Sequence, residues 1–360
     1  MIKVAILGYG TVGSGVFEII NENKELITAN AGEEIDVKYV LDLREFPGDS
    51  CESVLVHDYN IILNDPEVEV VIEVMGGLKP AYDFVKSALL AKKSVCTSNK
   101  ELVAKYGAEL IKIAQSNNRN FLFEAAVGGG IPIIRPMNMH ITADKICEIT
   151  GILNGTTNYI LTKMTEEGKA FEEVLKTAQQ LGYAEADPTA DVEGHDACRK
   201  IAILSSVAFG STVDYKEILT EGITKITAKD IAYAKALNCA IKLIAGSEKT
   251  AEGVSAKVSP CLISNKHPLA SVNNAFNAIF VQGNMSGETM YYGSGAGKLP
   301  TAAAVVGDII DEVKSKGTHK AIDWNVDETI HVLSADKSEV KCFVRVAFEN
   351  KEAAKAAVEK

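Results

Sequence analysis

A glycine-rich turn near the first residue limits the fold of this chain more than any other feature. The apolar run Ile2 to Leu7 leads directly into a segment that matches G-x-G-x-x-G. Such a run predicts a buried parallel strand, and the turn predicts the start of a helix. The glycines permit a tight turn, close approach of backbone amides to a pyrophosphate, and close packing of helix on strand. The sequence therefore predicts a dinucleotide site on Gly8, Gly10, Thr11, Val12 and Gly13.

Strands and helices alternate through the rest of the first half. The predicted strands are 2–7, 36–41, 68–74, 94–97 and 121–125, and the predicted helices are 11–23, 80–92 and 101–117. This alternation predicts βαβ units on a parallel sheet.

The second half has a different pattern. Predicted strands at 145–153 and 279–282 stand among predicted helices at 157–167, 171–181, 196–209 and 302–316. We predict an α/β fold, with a Rossmann-type dinucleotide-binding domain and a second α+β substrate or dimerisation domain. The expected boundaries are 1–135, 136–300, a helix at 301–320 that returns to the first domain, and a tail at 321–360 with a strand at 340–348 and a helix at 351–359.

Composition excludes several classes of protein. The 360 residues carry 37 basic and 48 acidic side chains, a net charge of −11, which disfavours a large nucleic-acid-binding surface. No apolar run reaches the ~18 residues of a membrane-spanning helix. The stretch around Ile2 to Leu7 lacks a basic region and a cleavage site, so we do not expect it to be a signal peptide. The seven cysteines include no C-x-x-C pair. We expect a cytoplasmic protein with reduced cysteines and no structural transition metal.

The end of the second predicted strand bears on the choice of cofactor. Asp42 stands where an acidic residue would hold the ribose hydroxyls of NAD(H), although it lies farther from the glycine turn than the usual ~20 residues. Arg44 would instead accept the 2′-phosphate of NADP(H), which the adjacent Glu45 would oppose. Arg44 is equally consistent with a solvated loop charge. The sequence favours NADP(H) only slightly over NAD(H).

The carboxylate-rich stretch from Ala178 to Lys200 is the strongest candidate for a reactive site. Asp196 and Lys200 are four residues apart, so they share one face of the predicted helix. That spacing is also typical of an ordinary surface ion pair, which contributes little. The alternative is a substrate site in which carboxylates hold an ammonium group and a lysine polarises a carbonyl or alkoxide oxygen.

This stretch resembles the signature of the homoserine dehydrogenase family. The matching positions are Ala178, Gly182, Tyr183, Ala184, Asp187, Pro188, Asp191, Val192, Gly194, Asp196 and Lys200. Other segments fit the same family in the same order: 8–13, 97–100, 124–130, 151–159 and 295–301. The resemblance covers about residues 1–320, and it leaves the surface-pair interpretation of Lys200 little weight.

The resemblance implies an NAD(P)-dependent interconversion of L-aspartate 4-semialdehyde and L-homoserine, in the synthesis of threonine, methionine and isoleucine. By position, Lys200 is the expected acid/base residue and Asp196 orients it. Lys100 matches a second lysine near the nicotinamide, which also has an assigned proton-transfer role, and Thr97 belongs to the same cofactor-binding segment. Burial or a second ammonium group would lower the pKa of a lysine base. The sequence does not rank the two lysines.

The family pattern also implies substrate contacts. Glu185, supported by Asp191, is expected to bind the substrate ammonium group. Gly155, Thr156 and Tyr183 fall where the family touches the substrate.

Two glycine-rich segments have further roles in the family. Residues 124–131 resemble a loop for a monovalent cation such as Na⁺, with the Glu124 carboxylate and the backbone carbonyls of Val127, Gly129 and Ile131 as expected ligands. Residues 293–297, through Gly295 and Gly297, would approach the nicotinamide half of the cofactor. Either run could also serve only to turn the chain.

The tail departs from the family pattern. Many members carry a complete C-terminal ACT domain, of which residues 340–360 would supply at most the first strand and helix. We therefore expect at most a remnant of that domain and weak or absent feedback inhibition by threonine. The resemblance also implies a homodimer, and a tetramer stays open.

Two other functions stay open at this point. One is another amino-acid-linked oxidoreductase on the same two-domain plan, such as an aspartate dehydrogenase, which the signature at 178–200 disfavours. The other is a dinucleotide-binding sensor without catalysis, which the retention of Lys100, Glu185, Asp196 and Lys200 disfavours. A fold alone does not decide between such functions.

Overall fold

The computed structural model describes residues 1–316, 318, 322, 324–334, 341, 343–345 and 349–358. No helix within these residues combines the length and the apolar character that crossing a membrane requires.

The first half forms one parallel sheet of six strands. They are β1 (Ile2–Leu7), β2 (Ile35–Leu41), β3 (Leu55–Val56), β4 (Val68–Glu73), β5 (Ser94–Thr97) and β6 (Phe121–Leu122), in the order β3-β2-β1-β4-β5-β6. The helices that connect them are α1 (Thr11–Glu22), α2 (Lys24–Ala31), α3 (Tyr59–Asn64), α4 (Ala81–Leu90) and α5 (Lys100–Ser116). The strand order reverses between β1 and β4, which places the ligand crevice at the carboxyl ends of these strands.

Both faces of this sheet are covered because its strands are apolar on both sides. Successive side chains of β1 point to opposite faces. Ile6 packs on one face with Val16 of α1, and Leu7 packs on the other face with Leu102 of α5. This double burial explains why the strand has a continuous apolar sequence instead of an alternating one.

The second half forms a mixed sheet with helices on one face. Its strands are β7 (Ile146–Ile152), β9 (Leu219–Thr220), β10 (Cys239–Lys249), β11 (Val254–Ser264), β12 (Phe276–Gly283) and β13 (Gly287–Ser294), in the order β13-β12-β7-β10-β11-β9. The short strand β8 (Gly210–Thr212) lies outside it. The helices are α6 (Ile134–Met139), α7 (Gly155–Glu167), α8 (Phe171–Gln180), α9 (Thr189–Val192), α10 (His195–Phe209) and α11 (Ala228–Ala236). Side chains such as Ala245 and Val281 pack with Leu204 of α10 in the main core.

The chain then returns to the first sheet. Helix α12 (Lys298–Lys314) packs on α1, with Val305 and Ile309 in the same core as Ile6. After it, β14 (Trp324–Thr329) pairs with β8, and α13 (Lys351–Val358) ends the described chain. Trp324 is buried, and its indole N–H donates to Thr212 Oγ1 at 2.9 Å.

Two connections between the halves pack on each other through glycine. Gly129 has a φ of +58°, and a Cβ there would lie 2.4 Å from the carbonyl oxygen of Gly295. The Gly130 amide donates to Ser294 O at 3.0 Å. The glycines of 128–130 thus permit direct contact between two backbone segments.

The fold class predicted from the sequence is confirmed, but several element bounds differ. Helix α12 begins at Lys298 because Pro300 is tolerated in a first helical turn. The strand expected at 121–125 ends at Leu122, and a 3₁₀ turn follows it. The β10–β11 hairpin was not predicted. Most of the strand expected at 340–348 lies outside the described residues, and residues 341 and 343–345 are not in a strand.

Candidate active site

Three charged side chains from the two halves meet at one point. Lys100 Nζ lies 2.5 Å from Asp196 Oδ1, and Lys200 Nζ lies 2.8 Å from Asp196 Oδ2. The side chains of Asp196 and Lys200 are 3% and 8% exposed, whereas that of Lys100 is 43% exposed. The arrangement is therefore a buried carboxylate between two ammonium groups, with one lysine facing solvent.

Local structure explains why these groups point at each other. Asn99 Oδ1 accepts from the Leu102 amide and caps α5, whose first residue is Lys100. Gly194, with a φ of +83°, precedes α10, which places Asp196 in the first turn and Lys200 one turn later. An acidic side chain in a first turn also suits the helix dipole.

The electrostatics of the cluster separate the two lysines. Burial lowers the pKa of Lys200; Asp196 partly opposes this, Lys100 adds to it, and the net pKa is below the ordinary lysine value. Burial also lowers the pKa of Lys100, but Asp196 outweighs it and the net pKa is raised. Burial alone would raise the pKa of Asp196, yet the two ammonium groups hold it well below its usual range. Lys200 is thus the lysine that loses its proton more readily.

Asn154 joins the two carboxylates of this cluster, and the sequence analysis gave it no role. Its Nδ2 donates to Asp191 Oδ1 at 2.7 Å and to Asp196 Oδ2 at 3.0 Å. Its Oδ1 accepts from the Thr157 amide at 2.8 Å, so it also caps α7. Burial raises the pKa of Asp191. An asparagine three residues before the helix predicted at 157–167 was the signal available in the sequence.

The expected substrate residues lie at varying depth around the cluster. Thr156 Oγ1 donates to Tyr183 O at 2.6 Å, and the ring of Tyr183 lies against that of Tyr159. A Cβ at Gly155 would lie 2.7 Å from Ala275 O, so close packing requires this glycine. Glu185 is exposed, and its backbone carbonyl accepts from Gln179. Within the described residues, no contact of the Glu185 carboxylate with the lysine cluster is present.

The glycine turn after β1 has the form of a phosphate cradle. A Cβ at Gly13 would lie 1.9 Å from Gly8 O, so the turn accepts only glycine there. Nothing lies within 4 Å of a Cβ placed at Gly10, and no side chain caps the N-terminus of α1. Thr11 and Val12 begin this uncapped helix, and the amides of a first helical turn have no partner within the helix. These residues therefore fit a dinucleotide pyrophosphate.

The end of β2 holds its acidic residue in an ion pair. Arg44 Nε and Nη2 donate to the two oxygens of Asp42, each at 2.9 Å, and the Tyr9 amide donates to Asp42 at 2.8 Å. The Arg44 contact holds the pKa of Asp42 below its usual range. His57 lies between Asp42 O at 2.6 Å and Glu45 Oε1 at 3.0 Å. Asp42 is therefore already bonded, while the Arg44 side chain is 61% exposed.

The expected cation loop differs from its prediction at Glu124. Its carboxylate accepts from the amides of Ile133, Ile134 and Arg135, and Arg135 Nε lies 3.2 Å from it. These donors occupy both oxygens, so the carboxylate is not free as a cation ligand. The backbone carbonyls of Val127, Gly129 and Ile131 are what the loop still offers. In the described part of the chain, no cluster of three or more His, Cys, Asp or Glu side chains is arranged to hold a metal ion.

The second glycine cluster is a packing surface. A Cβ at Gly295 would lie 1.9 Å from the side-chain amide nitrogen of Asn277, which is buried. Gly297, with a φ of +123°, precedes α12 without a side-chain cap. Both glycines thus set the path of the chain from β13 into α12.

Comparisons with known proteins agree on one family. The family model described as homoserine dehydrogenase matches residues 132–310, and that described as homoserine dehydrogenase, NAD binding domain, matches residues 8–124. The homoserine dehydrogenase of Bacillus subtilis strain 168 is 45% identical over 317 residues, which cover 87% of this chain and 73% of the relative.

Solved structures give the same result. A homoserine dehydrogenase from Thiobacillus denitrificans is similar with a TM-score of 0.88 and 41% identity, covering 92% of this chain and 79% of the other. A hyperthermophilic archaeal homoserine dehydrogenase in complex with NADPH is similar with a TM-score of 0.74 and 29% identity, covering 86% and 97%.

Proposed function

The chain belongs to the homoserine dehydrogenase family, and from this we propose that the cluster of Lys100, Asp196 and Lys200 is its catalytic centre. Members of the family are oxidoreductases that act on a CH–OH group in threonine and methionine synthesis. The cofactor is a nicotinamide dinucleotide, and the substrate is a small molecule. The observation that carries the assignment of residues is the meeting of two lysines on one buried carboxylate.

Lys200 acts as the proton acceptor when L-homoserine is oxidised. Its lowered pKa makes the neutral amine accessible, and Asp196 stabilises the ammonium group that forms when the substrate hydroxyl gives up its proton. Lys100, whose pKa is raised, stays charged and polarises the same oxygen. The bound nicotinamide supplies the hydride acceptor or donor.

Acidic groups beside the lysines select an amino acid as substrate. We propose that Glu185 reaches the substrate ammonium group and that Asp191, held by Asn154, supports it. Gly155, Thr156 and Tyr183 border the same space at the N-terminus of α7. Because the Glu185 carboxylate is exposed, its contact would form only with substrate present.

The cofactor preference we propose is NADP(H). The exposed guanidinium group of Arg44 offers a charge for a 2′-phosphate, and its present bonds neutralise Asp42. The contacts expected on the nicotinamide side are completed by Thr97, Lys100, Gly295 and Gly297.

For the cation we propose a site on backbone carbonyls of 127–131 alone, because the Glu124 carboxylate already accepts hydrogen bonds on both oxygens.

The second copy in a homodimer would cover the open face of the second sheet. Phe276, Met290 and Tyr292 are 40%, 41% and 53% exposed there, and Phe276 stacks on Tyr292 at 5.2 Å. An exposed apolar sheet face of this kind favours association. Light scattering would measure a dimer mass, and the variant Met290→Glu would reduce it.

The six described cysteines are unpaired, which supports the cytoplasm as the place of action.

Turnover with L-homoserine at alkaline pH tests the proposed centre, with reduction of NADP⁺ and NAD⁺ followed by absorbance. Lys200→Met should lower kcat about 10²–10⁴-fold, the usual loss for a general base. The matched control is Lys93→Met, which removes a buried lysine whose Nζ donates to Asp65 O and Val68 O in the first half. A folded Lys200→Met variant with full turnover would contradict the assignment.

A further inference from the structure

Glu73 is a buried carboxylate that the proposed mechanism does not use. It is the last residue of β4, paired with Leu7 at the end of β1 and with Thr97 at the end of β5. Its exposed fraction is 0%. The ends of these strands flank the point where the strand order reverses, which is where the cofactor crevice lies. Burial of a carboxylate is costly unless it is hydrogen-bonded, so its partners indicate its role.

The carboxylate of Glu73 connects two separate segments. Its Oε1 accepts from the amides of Met75 at 2.9 Å and Gly76 at 3.3 Å, which belong to the turn after β4. Its Oε2 accepts from Thr97 Oγ1 at 2.7 Å, at the end of β5. A carboxylate suits this position because it can accept from both segments and donates to neither.

Hydrogen bonds extend from Glu73 through Thr97 to Asn99, the residue before Lys100. Thr97 Oγ1 accepts from the Asn99 amide at 3.0 Å, and Asn99 Nδ2 donates to Gly77 O at 2.6 Å. This bond closes a ring through Glu73, residues 75–77, Thr97 and Asn99, which we call the Glu73 network. Asn99 also caps α5, and the next residue is Lys100. The network therefore fixes the backbone from which Lys100 reaches Asp196.

The same network borders the glycine turn of the cofactor site. A Cβ at Gly8 would lie 2.9 Å from Met75 Cγ and 3.1 Å from Met75 Cα. The turn that Glu73 holds is thus in close contact with the first glycine of the cradle, so a shift of Met75 changes the wall of the crevice.

We propose that Glu73 is a positioning residue of the dehydrogenase. Through Thr97 and Asn99 it sets the N-terminus of α5 so that Lys100 reaches the reacting oxygen, and through Met75 it holds the wall of the cofactor crevice. This rests on the role proposed above for Lys100. Misplacement of a catalytic group by about 1 Å costs up to about 10²-fold in rate, so a small change in the network is measurable.

The test is Glu73→Gln, alone and combined with Lys100→Ala. Glutamine keeps the shape, but its NH₂ group faces either the turn amides, whose protons it cannot accept, or Thr97 Oγ1, which must then accept from it and turn its own proton out of the network. We expect kcat to fall about tenfold in the single variant and less than about twofold further on the Lys100→Ala background, because residues that act through each other are not additive. We also expect the Kd of NADPH, from calorimetric titration without substrate, to rise at least about threefold.

A matched control is available at the opposite end of β5. Glu312 is also buried, and it accepts from Ser94 Oγ and from Asn120 Nδ2, each at 2.6 Å. Glu312→Gln makes the same chemical change in the same domain without touching α5 or residues 75–77. It should leave kcat and the NADPH Kd within about twofold of the wild type, even where it lowers the melting temperature.

The outcomes separate this inference from the proposed function. An unchanged kcat in Glu73→Gln, or the same fold-loss with and without Lys100, would overturn the positioning role. An unchanged Kd would overturn the part assigned to the 75–77 turn. Full activity of Lys100→Ala would instead contradict the proposed role of Lys100. If Glu73→Gln does not fold, Thr97→Val carries the kcat comparison with and without Lys100, because it removes the hydroxyl that joins Glu73 to Asn99.

Discussion

Lys200 donates a hydrogen bond to the backbone carbonyl oxygen of Leu153 at 2.8 Å. Leu153 directly precedes Asn154, whose side-chain amide contacts both Asp191 and Asp196. The two residues after β7 therefore orient Lys200 through a backbone carbonyl and the two carboxylates through a side chain. The orientation of Asp196 and Lys200 on α10 therefore depends on residues 153–154, which lie outside that helix.

Asn154→Asp should lower kcat by more than its effect on the free energy of unfolding would account for. The new carboxylate would stand between Asp191 and Asp196 in place of an amide that donates to both. Repulsion between like charges would raise the pKa of at least one of these carboxyl groups. The new carboxylate would also compete with Asp196 for the ammonium groups of Lys100 and Lys200. We expect kcat to fall at least about tenfold and the pH–rate profile to shift. Asn158→Asp is the control, because its side chain bonds outside the cluster, to Val272 O, Phe276 O and Lys242 Nζ. Equal losses in both variants would refute the role of Asn154.

Arg44→Ala should reduce the preference for NADP⁺ over NAD⁺ by about 10–100-fold, through a higher KM for NADP⁺. The substitution removes the exposed cation and frees Asp42, which then repels a phosphate. Kinetics with both cofactors would measure the ratio. Glu45→Ala is the opposite-sign control and should raise the ratio, because Glu45 opposes the phosphate. A ratio that does not move in Arg44→Ala would argue against a phosphate contact.

Gly295→Ala should destabilise the protein by about 1–3 kcal/mol, the usual cost of overpacking. The added methyl group would lie 1.9 Å from the Asn277 amide, on a backbone that also touches Gly129. Gly246→Ala in β10 is the control, because its methyl group would meet its nearest neighbour, Thr150 Oγ1, at 3.6 Å. Urea denaturation would compare the two, and similar stabilities would show that the glycine contact can relax.

Lys242→Met should remove a pH-dependent part of the stability. Lys242 Nζ donates to Val272 O, Asn158 Oδ1 and Asn273 Oδ1, and burial lowers its pKa to about 8. Between pH 8 and the unfolded value of about 10.4, the unfolded chain binds the extra proton. The wild type therefore gains stability from this group as the pH rises through that window. The difference in unfolding free energy between wild type and variant should rise from pH 8 to 10 and stay constant below pH 7. A constant difference throughout would show that the pKa is not lowered.

Local patterns made the first half of the fold predictable. The turn from Gly8 to Gly13 and the apolar strand before it depend on neighbouring residues only, so their structure follows from the sequence. The i,i+4 spacing likewise places Asp196 and Lys200 together. Their meeting with Lys100 depends on the packing of α5 on α10, and only the family resemblance predicted it.

The residues that sequence analysis missed act through contacts distant along the chain. Glu73 appears only as a charge at the end of an apolar strand, and nothing nearby indicates that Thr97 bonds to it. Nothing in the sequence shows a partner for the Glu124 carboxylate, but it accepts from the amides of Ile133 and Ile134, nine and ten residues later. The β10–β11 hairpin escaped prediction because β10 is buried on both faces over most of its length and lacks alternation.

The position of Trp324 gives this molecule a built-in optical reporter. It is the only tryptophan among the 360 residues, and its indole lies between Gly107 of α5, Phe123 and Thr212. Helix α5 carries Lys100, and Thr212 follows the helix that carries Lys200. Intrinsic emission from the indole therefore arises from one joint between the two halves. A ligand that moves the two halves relative to each other will therefore change the wavelength or the intensity of the Trp324 fluorescence, and no added label is needed.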